Sequence, residues 1–341
     1  MTLKDKVLEL RTTPHVSAGH SVDLIMRNVV WALLPAAAFG VYAFGLAGAV
    51  TLIAAVLSCV LTEHLFCKFS GRPTTVGDAS AIITGLLYGM TLPPGLPVWM
   101  TVMGGVIAIG LGKSLFGGLG YNAFNPALVG RAVLQAAFPV AMTTWYPSMA
   151  AERFTSFASS TWTLPFAAPK YLDAVSSATP LAAWKFDHQL AQASDLMWGM
   201  TTGSTGETSA VLLLVGGVYL AARNMLNWRI PVTIFVTVAV LTQALYFVDS
   251  AAYPPPQFML LSGGLMLGAV YMATDMVASP MTSLGVVLYG ILVATLTVVI
   301  RLWGGMPEGV MYALLLGNAV APHIDSLCRP KVYGLRPGRA R

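Results

Sequence analysis

The chain has 341 residues, 56% of them apolar and only 10% charged, with a mean hydropathy of +0.71. A soluble domain carries charge on about a quarter of its residues, so this composition excludes one and predicts an all-α polytopic membrane protein. The formal charge of +5 implies the lipid bilayer, and not nucleic acid, as the surface the chain meets.

The first twenty residues hold Lys4, Asp5, Lys6, Glu9, Arg11, His15 and His20 and lack the apolar stretch of a cleavable signal. This segment is expected to stay in the cytoplasm. Beyond it, apolar runs measured against the roughly twenty residues needed to cross a bilayer predict ten transmembrane helices, over 28–44, 46–67, 79–92, 97–112, 126–141, 207–222, 231–248, 257–274, 285–302 and 307–322. The third and fifth are short and lie against Pro93-Pro94-Gly95 and Asn125-Pro126. They are expected to be tilted, broken or partly re-entrant helices packed inside the protein.

Charge orients these spans. With the N-terminus inside, 14 of the 19 Lys and Arg fall on the cytoplasmic side, including Lys68, Arg72, Lys113, Arg223, Arg229 and the tail from Arg329 to Arg341. Arg131 lies in a span, and Arg153, Lys170, Lys185 and Arg301 face out. The positive-inside rule therefore predicts that both termini of the chain are cytoplasmic. Its parts are a cytoplasmic N-terminal segment (1–27), a first transmembrane half (28–141), a periplasmic segment (142–206), a second transmembrane half (207–323) and a basic cytoplasmic tail (324–341).

An odd number of spans in each half makes the halves enter the membrane with opposite polarity. That is the arrangement of inverted-repeat membrane folds, whose sites lie where the halves meet. Gly77-Asp78-Ala79-Ser80-Ala81 and Gly206-Glu207-Thr208-Ser209-Ala210 echo one another at span starts. Glycine pairs such as Gly104-Gly105 and Gly263-Gly264 suit close helix packing in lipid and leave room for a planar cofactor.

Chemistry-bearing motifs are few. Cys59, Cys67 and Cys328 show no CxxC spacing, so an iron–sulfur cluster or structural zinc has no support. HExxH, Walker and Rossmann patterns are absent from the sequence. Any redox centre is then an organic cofactor held in another way. The periplasmic segment carries Trp145, Trp162, Trp184 and Trp198, which an interfacial aromatic belt explains. It also carries Asp173, Ser176 and Thr179 at three-residue spacing in the string Ser176-Ser177-Ala178-Thr179-Pro180-Leu181. Taken alone, Thr179-Pro180 reads as a helix cap followed by proline at the first helical position. The same hydroxyl, displayed between two blocks of membrane helices, also suits an attachment point.

Ionisable groups inside spans are costly in lipid and are functional candidates on that ground. Arg131, about one turn into the fifth span behind Asn125-Pro126, and Asp275, at the end of the eighth, are both expected toward the cytoplasmic side. There they would pair, flank an ion path, or simply cap and snorkel at helix ends. Glu63-His64, Asp78 and Glu207 sit at helix ends or starts, where an acid in the first turn complements the helix dipole.

From Leu92-Pro93-Pro94, through Gly117-Gly118-Leu119-Gly120, Asn122 and Phe124-Asn125-Pro126-Ala127, then Asp173 to Leu181, Ala273-Thr274-Asp275 and Arg301 to Gly305, to Arg329-Pro330-Lys331-Val332-Tyr333-Gly334, nearly the whole chain resembles the NqrB/RnfD family. The short N-terminal region favours its Rnf branch (RnfD, also called RsxD). In that family a threonine in a Ser-Gly-Ala-Thr-like motif is esterified to the phosphate of FMN by a flavin transferase outside the membrane. By resemblance that threonine is Thr179, with Asp173, Ser176 and Ala178 completing the attachment motif and Ser177 standing where glycine is frequent.

The resemblance further implies a noncovalent riboflavin between the spans, which no motif locates, and partner subunits A, B, C, E and G of an Rnf complex. Ferredoxin and NAD would be the terminal couple of the whole assembly. The expected function is a flavin-bearing electron-transfer subunit, not catalytic by itself, coupled to ion translocation. Asn125, Arg131 and Asp275 are its candidates for an ion path or second flavin. The alternatives are a channel or secondary transporter of inverted-repeat fold, and a scaffold without cofactor.

Overall fold

The computed structural model describes residues 21–165, 167, 178–207 and 209–329, and among them every regular element is helical. The first helix, α1 (Val22–Phe69), opens on the Ser21 hydroxyl, which accepts from Leu24 N. It is two helices joined at Gly45, whose φ of 65° and ψ of −141° reverse the chain. A Cβ on Gly48 would stand 3.6 Å from Gly40 O, although eight residues of straight helix span about 12 Å. The expected break between the first two spans is thus a tight hairpin. Only glycine serves there, because a Cβ on Gly45 would collide with the backbone of Arg153, whose carbonyl also receives Leu46 N at 2.8 Å.

A 3₁₀ turn (Val76–Asp78) leads into α2 (Ser80–Met90), with the Asp78 carboxylate accepting from Ser80 N. Next come α3 (Val98–Ile109), which widens into a π turn over Gly110–Ser114, α4 (Pro126–Ala137), with Asn125 as N-cap, and α5 (Pro139–Thr143). The 11 residues of α2 and 12 of α4 fit the expectation of short, protein-packed spans. After the loop segment carrying α6 (Pro180–Asp187) and α7 (Ala193–Trp198), the second half contains α8 (Ala210–Ala222) and α9 (Arg229–Val248).

The eighth predicted span is not continuous. It is α10 (Pro256–Leu261), a break over Ser262, Gly263 and Gly264, then α11 (Leu265–Leu267) running into a π turn (Gly268–Met272). Gly263 at φ 66° explains the break, since that left-handed conformation ends a helix and glycine adopts it freely. The chain closes with α12 (Ser283–Trp303), capped by Thr282, and α13 (Val310–Leu327). Among the described helices, α1, α9 and α12 are individually long and apolar enough to cross a bilayer.

The halves pack through one apolar core running from Ala32 of α1 to Ile324 of α13. α1 packs on α2, α3 and α8, α9 on α12, and α4 of the first half on α13 of the second. The turn before α8 hooks over the end of α2, with Gly206 N donating to Met90 O at 2.6 Å. α6 and α7 lie at one end of the molecule, its loop face.

Candidate functional site

Thr179 is the N-cap of α6, as the Thr-Pro pair predicts, and its Oγ1 accepts from Ala182 N at 3.2 Å. Its side chain is buried while neighbouring Ala178 is exposed. Asp173 and Ser176 lie outside the described residues. Three side chains fasten α6 to the second half. Leu181 and Trp184 are buried, the latter 6.5 Å ring to ring from Phe258 of α10. Lys185 Nζ donates to the carbonyls of Arg301, Gly304 and Met306 at 3.0, 2.5 and 3.0 Å, capping the C-terminal end of α12. Desolvation at this seat pulls the Lys185 pKa below its ordinary value.

Beside α6 lies a layer of charge that sequence reading scatters among helix ends. A Cβ on Gly263 would meet Leu181 Cδ1 at 2.6 Å, Glu308 Oε1 at 2.7 Å and Arg301 Nη2 at 3.0 Å, so these groups crowd one turn of backbone. Arg301, expected to face out, is only 2% exposed and donates to Met259 O at 2.6 Å and Ser262 O at 2.9 Å. Glu308 accepts from Gly264 N at 2.6 Å and from Arg131 Nη2 at 2.8 Å. The broken helix therefore has its loose carbonyls and amide answered by charged groups, which is how irregular backbone persists at membrane depth.

Arg131 does not pair with Asp275. It stands six residues beyond Asn125, about 9 Å along α4, and reaches Glu308 near the loop face. Asp275 stays at the other end of the halves' junction. There a cavity of about 100 Å³ is lined by apolar residues including Val29, Leu87, Leu220 and Met225, with Ser80, Thr84, Lys113, Asn122, Asn125, Tyr271, Thr274 and Asp275 as its polar members. Of the three residues proposed for an ion path or second flavin, the fold brings Asn125 and Asp275 together here and separates Arg131 from them. Both π turns border this cavity, one through Lys113 and the other through Tyr271.

Lys113 escapes sequence reading as a site residue. Assigned by its charge to the cytoplasmic side, it is 3% exposed, bonded to both Glu63 oxygens at 2.8 Å and to Ser80 Oγ at 2.5 Å. Thr75 donates to the same Glu63. The available signal was the presence of both Glu63 and Lys113 at the ends of predicted spans. Glu308 gave a similar signal in Pro307-Glu308-Gly309.

These features can be set beside known proteins. The NQR2, RnfD, RnfE family matches residues 9–334. The chain is 40% identical to the D subunit of the proton-translocating ferredoxin:NAD(+) oxidoreductase complex of Clostridium ljungdahlii, covering 98% of each chain. It is 39% identical to the D subunit of the Na(+)-translocating ferredoxin:NAD(+) oxidoreductase complex of Acetobacterium woodii, covering 96% of each. It is also 39% identical to the D subunit of the ion-translocating oxidoreductase complex of Stutzerimonas stutzeri, covering 92% of each. A match over this length, on an all-helical fold with a broken span and a junction cavity, establishes that the chain belongs to the NQR2, RnfD, RnfE family.

Proposed function

We propose that this chain is the flavin-bearing membrane subunit of an Rnf-type electron-transport complex in the bacterial inner membrane. It relays electrons between partner subunits while the complex moves ions. The supporting observation is Thr179, a hydroxyl at the start of a helix fastened to the transmembrane core, in a chain whose relatives are named as D subunits of ion-translocating oxidoreductases.

The surroundings of Thr179 fit a phosphoester. A phosphate on Oγ1 would lie at the positive end of α6, whose first turn carries no acidic residue. Ala178 is exposed but the Thr179 side chain is buried, so modification by a periplasmic flavin transferase would require that side chain to turn outward or to be modified before α6 docks. FMN attached there supplies a one- or two-electron redox centre. Thr179 is the anchor, and Leu181, Trp184 and Lys185 hold that anchor against the second half. No general base on this chain is required for this role, which is that of a subunit in a translocase/oxidoreductase complex and not of a catalyst acting alone.

A second, noncovalent flavin such as riboflavin is assigned to the junction cavity on the polar groups Asn122, Asn125 and Asp275 that converge on an apolar chamber, and at about 100 Å³ the cavity would have to widen to admit it. Subunits A, B, C, E and G are the expected partners, with ferredoxin and NAD as the couple of the assembly. The same cavity favours a second reading, a transporter or channel without covalent cofactor. In-gel flavin fluorescence separates the two. Denatured wild-type chain co-expressed with a flavin transferase should fluoresce and Thr179→Ala should be dark. A dark wild-type band beside an active transferase removes the flavin reading.

A further inference from the structure

Arg131, Arg301 and Glu308 have structural work at the broken helix, but Glu207 does not. Its Oε2 reaches Ser204 N at 3.5 Å, its carboxyl meets that of Glu308, and its Oε1 has no amide, guanidinium or ammonium donor among the described residues. That oxygen lies 3.7 Å from where a Cβ on Gly264 would stand, and Glu308 Oε1 lies 3.4 Å from the same point. Two carboxylates thus face one another across a residue that has no side chain. A buried carboxylate oxygen opposite another carboxylate is costly unless positive charge lies between them.

Two guanidinium groups lie nearby, but neither hydrogen-bonds the two facing oxygens. Arg131 is bonded to the far oxygen of Glu308, Oε2. Arg301 is committed to two backbone carbonyls, and its Nε, in a side chain only 2% exposed, has no partner. Of the other buried hydroxyls in this layer, that of Ser204 (1% exposed) faces Glu207 and that of Ser262 (0%) has no partner among the described residues. Ser262 opens the break between α10 and α11, and interrupted helices are where membrane transporters assemble cation sites.

We propose that Glu207 and Glu308 bind one monovalent cation, a proton or Na⁺, between the two halves, with Glu207 as the group that takes and releases it. The proposal rests on the reading that the complex moves ions. The charged groups facing Glu207 are Glu308 in the turn before α13, Arg131 on α4 and Arg301 at the end of α12. With two carboxylates and two guanidinium groups the empty cluster is neutral, so a bound cation leaves it with one net positive charge and a second would be opposed by repulsion. Leu181 packs on the Gly263 turn two residues along α6 from Thr179, so the site adjoins the anchor helix.

Labelling of the purified complex with dicyclohexylcarbodiimide, which modifies protonated buried carboxyls, tests this when read by mass spectrometry over a pH series in NaCl or choline chloride. Modification of Glu207 that falls with rising pH and ignores Na⁺ supports the proton. Suppression by NaCl but not by choline chloride supports Na⁺. An unmodified Glu207 at every pH, with another carboxyl of the complex labelled, overturns the proposal. In vesicles, Glu207→Gln should lose electron-driven cation uptake, and wild-type uptake by that variant also overturns it. If the variant does not assemble, the wild-type labelling decides. Covalent flavin fluorescence scored on the same material tests the flavin reading separately, because the labelling requires no electron transfer.

Discussion

Thr179 carries two demands that different substitutions separate. As an N-cap it accepts from Ala182 N, and as an anchor it would need a hydroxyl. Asparagine caps as well as threonine but offers no hydroxyl to esterify, whereas alanine loses both and costs about 1 kcal/mol of cap energy. Thr179→Asn is therefore expected to keep the thermal midpoint of the detergent-solubilised protein while abolishing in-gel flavin fluorescence, and Thr179→Ser should keep both. A fluorescent Thr179→Asn chain would place the attachment elsewhere. Lys113 makes the second residue-scale case. Its partner Glu63 is only 3% exposed, and removing one member of a buried pair costs about 3–5 kcal/mol because the other charge is stranded. Lys113→Met should lower the thermal midpoint sharply, and the double variant Lys113→Met/Glu63→Leu should recover part of the loss.

Helices in this chain are interrupted for identifiable reasons. At Gly45 a reversal is needed in one residue, and the backbone of Arg153 occupies the space where a side chain would project. Gly45→Ala combines backbone strain of about 1–3 kcal/mol with that collision. Thermal unfolding should show destabilisation larger than that of Gly71→Ala, where φ is also positive at 62° but nothing lies within 4 Å. Equal effects at the two positions would mean that conformation alone, and not the docked loop, fixes the hairpin. The break at Ser262–Gly264 differs in kind, since it is held open by charged side chains from α12 and the turn before α13 and not by a turn motif alone.

At the scale of the whole molecule, the Arg131–Glu308 bridge ties the first half to the second across 177 residues of sequence. Arg131→Gln leaves Glu308 with its Gly264 contact but without its neutralising partner, and a loss of about 3 kcal/mol or more is expected. The measurement is a thermal melt of the purified chain, and a midpoint within error of wild type would mean that the core alone joins the halves. Loss of stability with covalent flavin retained is the expected pairing, since α6 is fastened to the second half by Lys185 and Trp184 and not by Arg131.

The membrane class, the run of helices, the hairpin at Gly45, the short α2 and α4 and the cap at Thr179 were legible in the sequence. Each depends on local quantities: apolar run length, glycine and proline placement, or a hydroxyl before proline. The charged layer was not. Glu207, Glu308 and Arg301 each look like ordinary helix-end residues, and Arg131 and Asp275 look like neighbours when spans are drawn as straight rods of equal depth. Only the folded chain decided that the eighth span breaks at Gly263, that Arg131 climbs α4 to Glu308, and that Asn125 and Asp275 share a cavity. The physical reason is that burial cost and charge pairing depend on distances between residues far apart in the chain. Periodicity and composition determine which segments enter the membrane, while the depth and rotation at which they pack determine which charges meet there.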